Sequence, residues 1–248
     1  SNMETTMSRV SPLYKKEVAE SANSQIRFFQ VPVRWNYSGP QEDVDGGKWE
    51  EATPESILKY TAVGYFFARY INENYGVPVG ILQCAAGGSP IEGWISLESL
   101  KQFPAQYKVA EQLSDPEYLK NLLKTEQEGQ KKWFGDLAEA DLGHKGTPWY
   151  TASFDDSAWP TFQLPAKFRD AKMDIQNGIV WVRRNITLPA SCDGKPALLE
   201  MGTIVDSDSV FVNGRFVGTT SYQYPPRRYQ VPAGVLKSGE NNITVKVI

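Results

Sequence analysis

The sequence predicts an α/β half followed by an all-β sandwich. Three observations carry that reading. A helix-period segment runs into an apolar stretch and a glycine turn over residues 53–90, the pattern switches to period two after about residue 145, and turn signals punctuate the last hundred residues. The boundary near 145 divides the chain into an α/β part over 1–145 and a sandwich over 146–248. A chain of 248 residues falls between one large domain and two ordinary ones, so either part has room for its own core.

The clearest helix spans Thr53 to Gly76. Thr53 suits the N-cap, Pro54 the first helical position and Gly76 the stop. Ile57, Thr61, Gly64, Phe67, Ala68 and Ile71 recur along it at the spacing of one buried face. Val77 to Cys84 is apolar without alternation, the pattern of a strand covered on both faces. It leads into the glycine turn Ala85-Ala86-Gly87-Gly88-Ser89-Pro90. Active loops of α/β sheets sit at such strand ends. Ser96 caps a short helix reaching Leu100 to Phe103. Ser114-Asp115-Pro116-Glu117 opens a longer one, with Leu119, Leu122, Leu123, Trp133 and Leu137 in helical register and Gly143 as its stop.

Beyond residue 145, Val180, Val182, Ile186 and Leu188 alternate. Val210 and Val212 lead to the hairpin signal Asn213-Gly214, with Phe216-Val217 returning, and Ile243, Val245 and Val247 alternate at the end. Neither half looks complete. The first shows one convincing buried strand and too few crossovers, and the last strand reaches Ile248 with no polar tail, so the expectation is a piece of a longer chain.

Composition excludes several classes. A formal net charge of -3 gives no electrostatic footprint for nucleic acid or an anionic membrane. No apolar run is long enough to span a bilayer, and the N-terminus has no signal-peptide pattern. One histidine and two cysteines supply neither an imidazole zinc site nor a disulfide framework, and no metal or cofactor is expected. Cys84 reads as a small core residue and Cys192 as an exposed thiol. No Walker-type phosphate loop is present.

Three blocks of the first half resemble the sialate O-acetylesterase family, a branch of the SGNH hydrolases. Ser1-Asn2-Met3-Glu4, followed by Met7-Ser8-Arg9, is similar to the family's Gly-Gln-Ser-Asn-Met-Glu block, entered at the nucleophilic serine. Ala62 to Arg69 with Gly76 to Ile81 is the second match. Gly87-Gly88-Ser89-Pro90-Ile91-Glu92-Gly93-Trp94 is the third, similar to Gly-Gly-Thr-Pro-Ile-Glu-Ala-Trp. The second half resembles the galactose-binding-like jelly roll that many members carry as an insertion. Its matching pieces are Phe154 to Trp159, Gly178 to Arg184, Val210 to Gly214 and Gly239 to Asn242. The implied fold is part of an SGNH, flavodoxin-like three-layer sheet plus a jelly-roll sandwich.

The resemblance implies a serine esterase that removes O-acetyl groups from sialic acid or another acetylated sugar. Ser1 is then the nucleophile, although a cleaved purification tag also leaves Ser-Asn. A serine hydroxyl needs an adjacent base, which the family takes from an Asp-x-x-His motif far downstream, expected to lie outside this chain, so the fragment is expected to be inactive alone. His144 reads as a solvated linker residue. Gly87 and Gly88 are candidate oxyanion donors, because a backbone N–H reaches a reacting carbonyl best without an obstructing Cβ; a plain tight turn is the other reading. Arg9, Glu92 and Trp94 are candidate substrate-binding residues, with a salt bridge, a loop-locking hydrogen bond and packing as alternatives.

Asp155-Asp156 with Trp159 reads as a turn and cap cluster or a calcium or sugar site. Trp181, Arg183 and Arg184 are expected to pack against the other domain. Asn36, Asn185 and Asn242 head glycosylation sequons, relevant to a eukaryotic secreted protein. The expected partners are an acetylated sugar or sialoglycan and the rest of the same esterase chain, in the periplasm or outside the cell. Two rivals remain: a non-catalytic carbohydrate-binding module, and a glycoside hydrolase fragment, which needs a pair of carboxylates.

Overall fold

The computed structural model describes residues 2–37, 39–168 and 177–248. The chain forms two compact units, Ser1–Gln127 and Glu128–Ile248. The change of period near residue 145 therefore lies inside the second unit. Asp141, Trp149 and Tyr150 pack with Trp181 there, and the Trp149 carbonyl accepts from Arg183.

The first unit contains α1 (Met7–Val10), α2 (Lys15–Ala19), β1 (Asn23–Gln30), β2 (Trp49–Ala52), α3 (Ala62–Tyr75), β3 (Val79–Gln83), α4 (Leu97–Leu100) and α5 (Pro104–Ser114). A long helix, α6 (Pro116–Ala140), crosses the unit boundary. The sheet order is β2-β1-β3, with β1 antiparallel to β2 and parallel to β3. Alternation in β1 turns Ile26 and Phe28 into a core with Met7, Ile57, Tyr60, Tyr65 and Ala68. Phe28 stacks on Tyr60 at 4.9 Å. Burying an aromatic or aliphatic side chain of this size stabilises by about 1.5–3 kcal/mol. Gly64 lets α3 approach the sheet, since a Cβ there would press on Thr61 and Ile81.

The single helix expected over 53–76 is two elements. Ser56–Lys59 is a 3-10 turn, and α3 starts only at Ala62, capped by the Thr61 hydroxyl accepting from the Gly64 N–H. The break has a tertiary cause. The Tyr60 carbonyl accepts from the Met7 N–H and the Ala62 N–H donates to the Thr5 carbonyl, so these groups are withdrawn from a continuous helix ladder. The buried face uses Tyr65, and Phe67 is exposed. Gly76 is the expected left-handed stop, with φ of 65°.

The apolar stretch 77–84 is not covered on both faces. β3 is an edge strand: Val79 and Ile81 pack on the core, while Leu82 is 66% exposed and Cys84 is exposed too. An unbroken apolar run does not distinguish a doubly covered strand from a half-covered one with an apolar outer face. In α6 the leucine register holds, but no residue is fully buried and the helix ends at Ala140, before Gly143.

The second unit contains β4 (Val180–Leu188), β5 (Ala197–Gly202), β6 (Asp208–Val212), β7 (Arg215–Thr220), β8 (Arg227–Val231) and β9 (Gly239–Val247). A four-stranded antiparallel sheet, β4-β9-β6-β7, faces the antiparallel pair β5-β8. Val210, Val212, Val245 and Val247 from the larger sheet pack with Leu199, Tyr229 and Val231 from the smaller. That is a two-layer β arrangement. Asn213 and Gly214 turn the β6–β7 hairpin with φ of 50° and 82°, as their dipeptide requires.

Candidate active site

The glycine turn leaves the end of β3, and three separate pieces of sequence meet beside it. Gln83, the last residue of β3, is buried and its side-chain carbonyl accepts from the Thr61 N–H at 2.8 Å. Thr61 in turn forms a β-bridge with Thr6, and Met7 is fully buried beneath it. The N-terminal segment, the start of α3 and the end of β3 are thus fixed to one another through backbone groups and one amide. Loops carried on such a scaffold are where chemistry is usually placed.

At the turn itself the Gly87 N–H donates to the Glu4 carboxylate at 2.6 Å, a contact between residues 83 apart in sequence. Such charge-assisted hydrogen bonds are short and roughly twice as strong as neutral ones. A Cβ on Gly87 would fall on that carboxylate. Gly88 is different: its φ is 74°, and a Cβ there would meet nothing within 4 Å. On the far side of the turn, the Ser89 hydroxyl donates to the Ala86 carbonyl at 2.6 Å. The Trp94 indole N–H donates to the same hydroxyl at 2.9 Å. Trp94 is 54% exposed, so its ring presents apolar surface at the rim while its N–H braces the loop.

The structure thus brings Gly87, Gly88 and Trp94 together with Glu4. Ser1 lies outside the described residues; Asn2–Glu4 form a 3-10 turn. Of the two candidate donors, the Gly87 N–H is bonded to the Glu4 carboxylate. Arg9 lies in the last turn of α1, and Glu92 is half-buried in the turn Ile91–Trp94. Sequence reasoning quoted Glu4 only as part of a motif and passed over Gln83. A carboxylate three residues after a proposed nucleophile was the available signal for Glu4.

In the second unit the conspicuous residues serve the fold. Trp181 is 7% exposed and donates its N–H to Asp141 at 2.8 Å. Asp141 also accepts from the Gly143 N–H and pairs with Lys246 at 2.7 Å. Burial pushes the Asp141 carboxyl up, but the Lys246 ammonium and the Trp181 and Gly143 N–H groups outweigh it and hold the group below the usual carboxylate range. Arg183 pairs with Asp156 at 2.8 Å and bonds the Thr151 carbonyl and Thr244 hydroxyl within the same unit. Asp155 accepts from the Ser157 N–H, a turn contact.

Asn213, Asn241 and Asn242 form a polar lock between the hairpin and β9. Asn242 is buried and bonded to Asn185, which removes it as a glycan acceptor in the folded chain. His144, the sole histidine, is half exposed with its ring 5.2 Å from Trp181. Among the described residues no group of three His, Cys, Asp or Glu side chains is placed to hold a metal ion, and no helix is long and apolar enough to cross a membrane.

The chain is similar, over part of its length, to carbohydrate acetylesterases. No family model matches it. Over 108 residues, 41% of the chain, it is 28% identical to sialate O-acetylesterase of Rattus norvegicus and covers 20% of that protein. The chain therefore spans about a fifth of the length of that curated relative. Among solved structures, a carbohydrate acetylesterase from Xanthomonas citri is 40% identical over 42% of this chain and 23% of its own, with a TM-score of 0.38. A β-glucuronidase from Bacteroides uniformis is 27% identical over 42% of this chain and 13% of its own, with a TM-score of 0.37.

Proposed function

We propose that the chain is part of a carbohydrate O-acetylesterase that cleaves acetyl esters of sialic acid or a related sugar through a serine acyl-enzyme. The observation that carries the reading is the meeting of Glu4, from the Ser1 block, with Gly87, from the glycine block. Two motifs that the resemblance treats as nucleophile and oxyanion loop are in hydrogen-bond contact, and the partial likeness to sialate O-acetylesterase supports the same chemistry.

In this mechanism the Ser1 hydroxyl attacks the acetyl carbonyl, the sugar alcohol leaves, and water then releases acetate. The Gly88 N–H stabilises the tetrahedral oxyanion, and a preorganised donor of this kind is worth about 3 kcal/mol. Trp94 offers an apolar face to the sugar. The proton shuttle is a histidine oriented by an aspartate. Asp141-Leu142-Gly143-His144 has the Asp-x-x-His spacing, but Asp141 is buried on Trp181, Gly143 and Lys246 and His144 lies against Trp181, so we assign the shuttle to a further segment outside these 248 residues. On this reading the first unit belongs to an SGNH-type three-layer domain, the second is a galactose-binding-like jelly roll, and the enzyme works in the periplasm or outside the cell.

The test is turnover of p-nitrophenyl acetate and of O-acetylated sialic acid by two proteins. One is this chain alone; the other is the polypeptide extended with the family's Gly-Gln and Asp-x-x-His blocks. Activity is expected only in the extended form and is abolished by Ser1→Ala. Equal activity in the serine and alanine forms would refute the serine mechanism.

A further inference from the structure

Two adjacent glycines at the turn are required for different reasons, and the difference assigns a role to Glu4. Gly87 has no left-handed φ; it lacks room for a Cβ because the Glu4 carboxylate occupies that space and accepts its N–H at 2.6 Å. Gly88 has open space where a Cβ would sit and a φ of 74°, a backbone state that L side chains rarely adopt. The first glycine seats a carboxylate; the second turns the chain.

We infer that Glu4 is a positioning residue, which clamps the Gly87 amide and thereby fixes the direction in which the next amide, that of Gly88, points. This rests on the esterase reading above. The geometry supports it through the anchoring of Glu4 and the fixing of one peptide of the turn. Glu4 follows the nucleophile block by three residues, in a 3-10 turn, and the chain just after it is anchored by the Thr6–Thr61 bridge and the fully buried Met7. The carbonyl of the peptide that carries the Gly87 N–H, on Ala86, accepts from Ser89, which Trp94 braces in turn. With its C=O held by a hydroxyl and its N–H by a carboxylate, the Ala86–Gly87 peptide plane is fixed, and the Gly88 amide is oriented from it through the φ and ψ of Gly87 alone. An oxyanion donor has to be fixed before the charge develops, because reorganising it during the reaction forfeits the benefit. The same hydrogen bond ties the serine block to the donor loop and sets their separation.

The test uses Glu4→Ala, Glu4→Gln, Gly87→Ala and the double variant, with two readouts. Amide hydrogen exchange at Gly87 is measured on the 248-residue chain. Acetyl-ester kinetics are measured on the extended polypeptide. Glu4→Ala is expected to speed Gly87 exchange and to lower kcat, each by about tenfold or more, with KM within about twofold. Glu4→Gln, whose amide oxygen still accepts the bond, should recover most of both. Gly87→Ala evicts the carboxylate from its seat, so adding it to Glu4→Ala should cost little more, since both remove one contact.

Unchanged kcat in folded Glu4→Ala, or fully additive losses in the double variant, would overturn the inference. A lowered melting temperature with normal turnover per folded molecule would do the same, since it marks a merely structural contact. Lack of turnover in the unsubstituted extended protein would instead refute the esterase reading, while Gly87 exchange still decides whether Glu4 holds the loop.

Discussion

The most conspicuous polar contacts of the two units sit in opposite settings. In the second unit the Arg227 network is buried and fully paired. Arg227 is fully buried, paired with Asp208 at 2.5 Å, with its remaining N–H groups on the carbonyls of Gln223, Pro225, Ile204 and Asp206. The Tyr229 hydroxyl donates to the second Asp208 oxygen at 2.6 Å. In the first unit the telling polar contact, Glu4 to Gly87, lies at the surface on a turn, beside a half-exposed tryptophan. A saturated buried network specifies a fold, since each group already has its partners. On the esterase reading proposed above, the exposed glycine turn, held at its Ala86–Gly87 peptide, serves chemistry, whereas the buried network of the second unit serves the fold.

The largest effect should come from breaking the buried network. Asp208→Ala leaves the Arg227 charge in the interior without its carboxylate and removes one of the two partners of the Tyr229 hydroxyl, Thr220 being the other. A loss of about 3–5 kcal/mol is expected in urea unfolding of the chain. A loss below about 1 kcal/mol would contradict the account of this half.

Next is the glycine turn. Gly88→Ala should lower acetyl-ester turnover of the extended polypeptide by about a hundredfold, the scale of one displaced oxyanion donor. Its stability cost should stay near the 1–2 kcal/mol of a left-handed backbone, roughly, because open space surrounds the added methyl. Unchanged turnover per folded molecule would make the turn structural, like the second unit, and erase the contrast.

The smallest effect concerns pH. Hydrogen bonds from Lys48 and Tyr60 hold the Glu50 carboxyl at about 2, against 4.5 ordinarily. A folded pKa below the unfolded one means that the contribution is fully present above about pH 4.5 and is lost as the pH falls towards 2. Glu50→Gln should therefore lower the melting temperature at neutral pH and flatten its decline on acidification. Parallel pH profiles for the two proteins would remove Glu50 from the first unit's acid response.

Much of the scaffold was legible where one residue type answers one local demand. Gly76 as a left-handed stop, Ser96 as a cap, and Asn213-Gly214 as a hairpin turn all stand where their chemistry puts them. The helix break at residues 60–62 was not legible, because Thr53 and Thr61 are equally good caps and the choice is made by Thr5, Met7 and Gln83 from elsewhere in the chain. β1 was missed because Arg27 and Gln25 give its outer face a polar character, and β3 was misjudged because its outer face is apolar. At the site, glycines drew attention as a pair. The Glu4 carboxylate seated at Gly87 and the left-handed φ of Gly88 separate them.

The central claim is that the Ser1 block and the glycine loop form one acyl-transfer site. The most direct measurement is mass spectrometry of the extended polypeptide, quenched with acid during turnover of an acetylated sugar. The account predicts an acetyl group on the Ser1 hydroxyl, labile to hydroxylamine, missing in Ser1→Ala and reduced in Gly88→Ala. Steady release of acetate with no acetyl group ever found on Ser1 would contradict it.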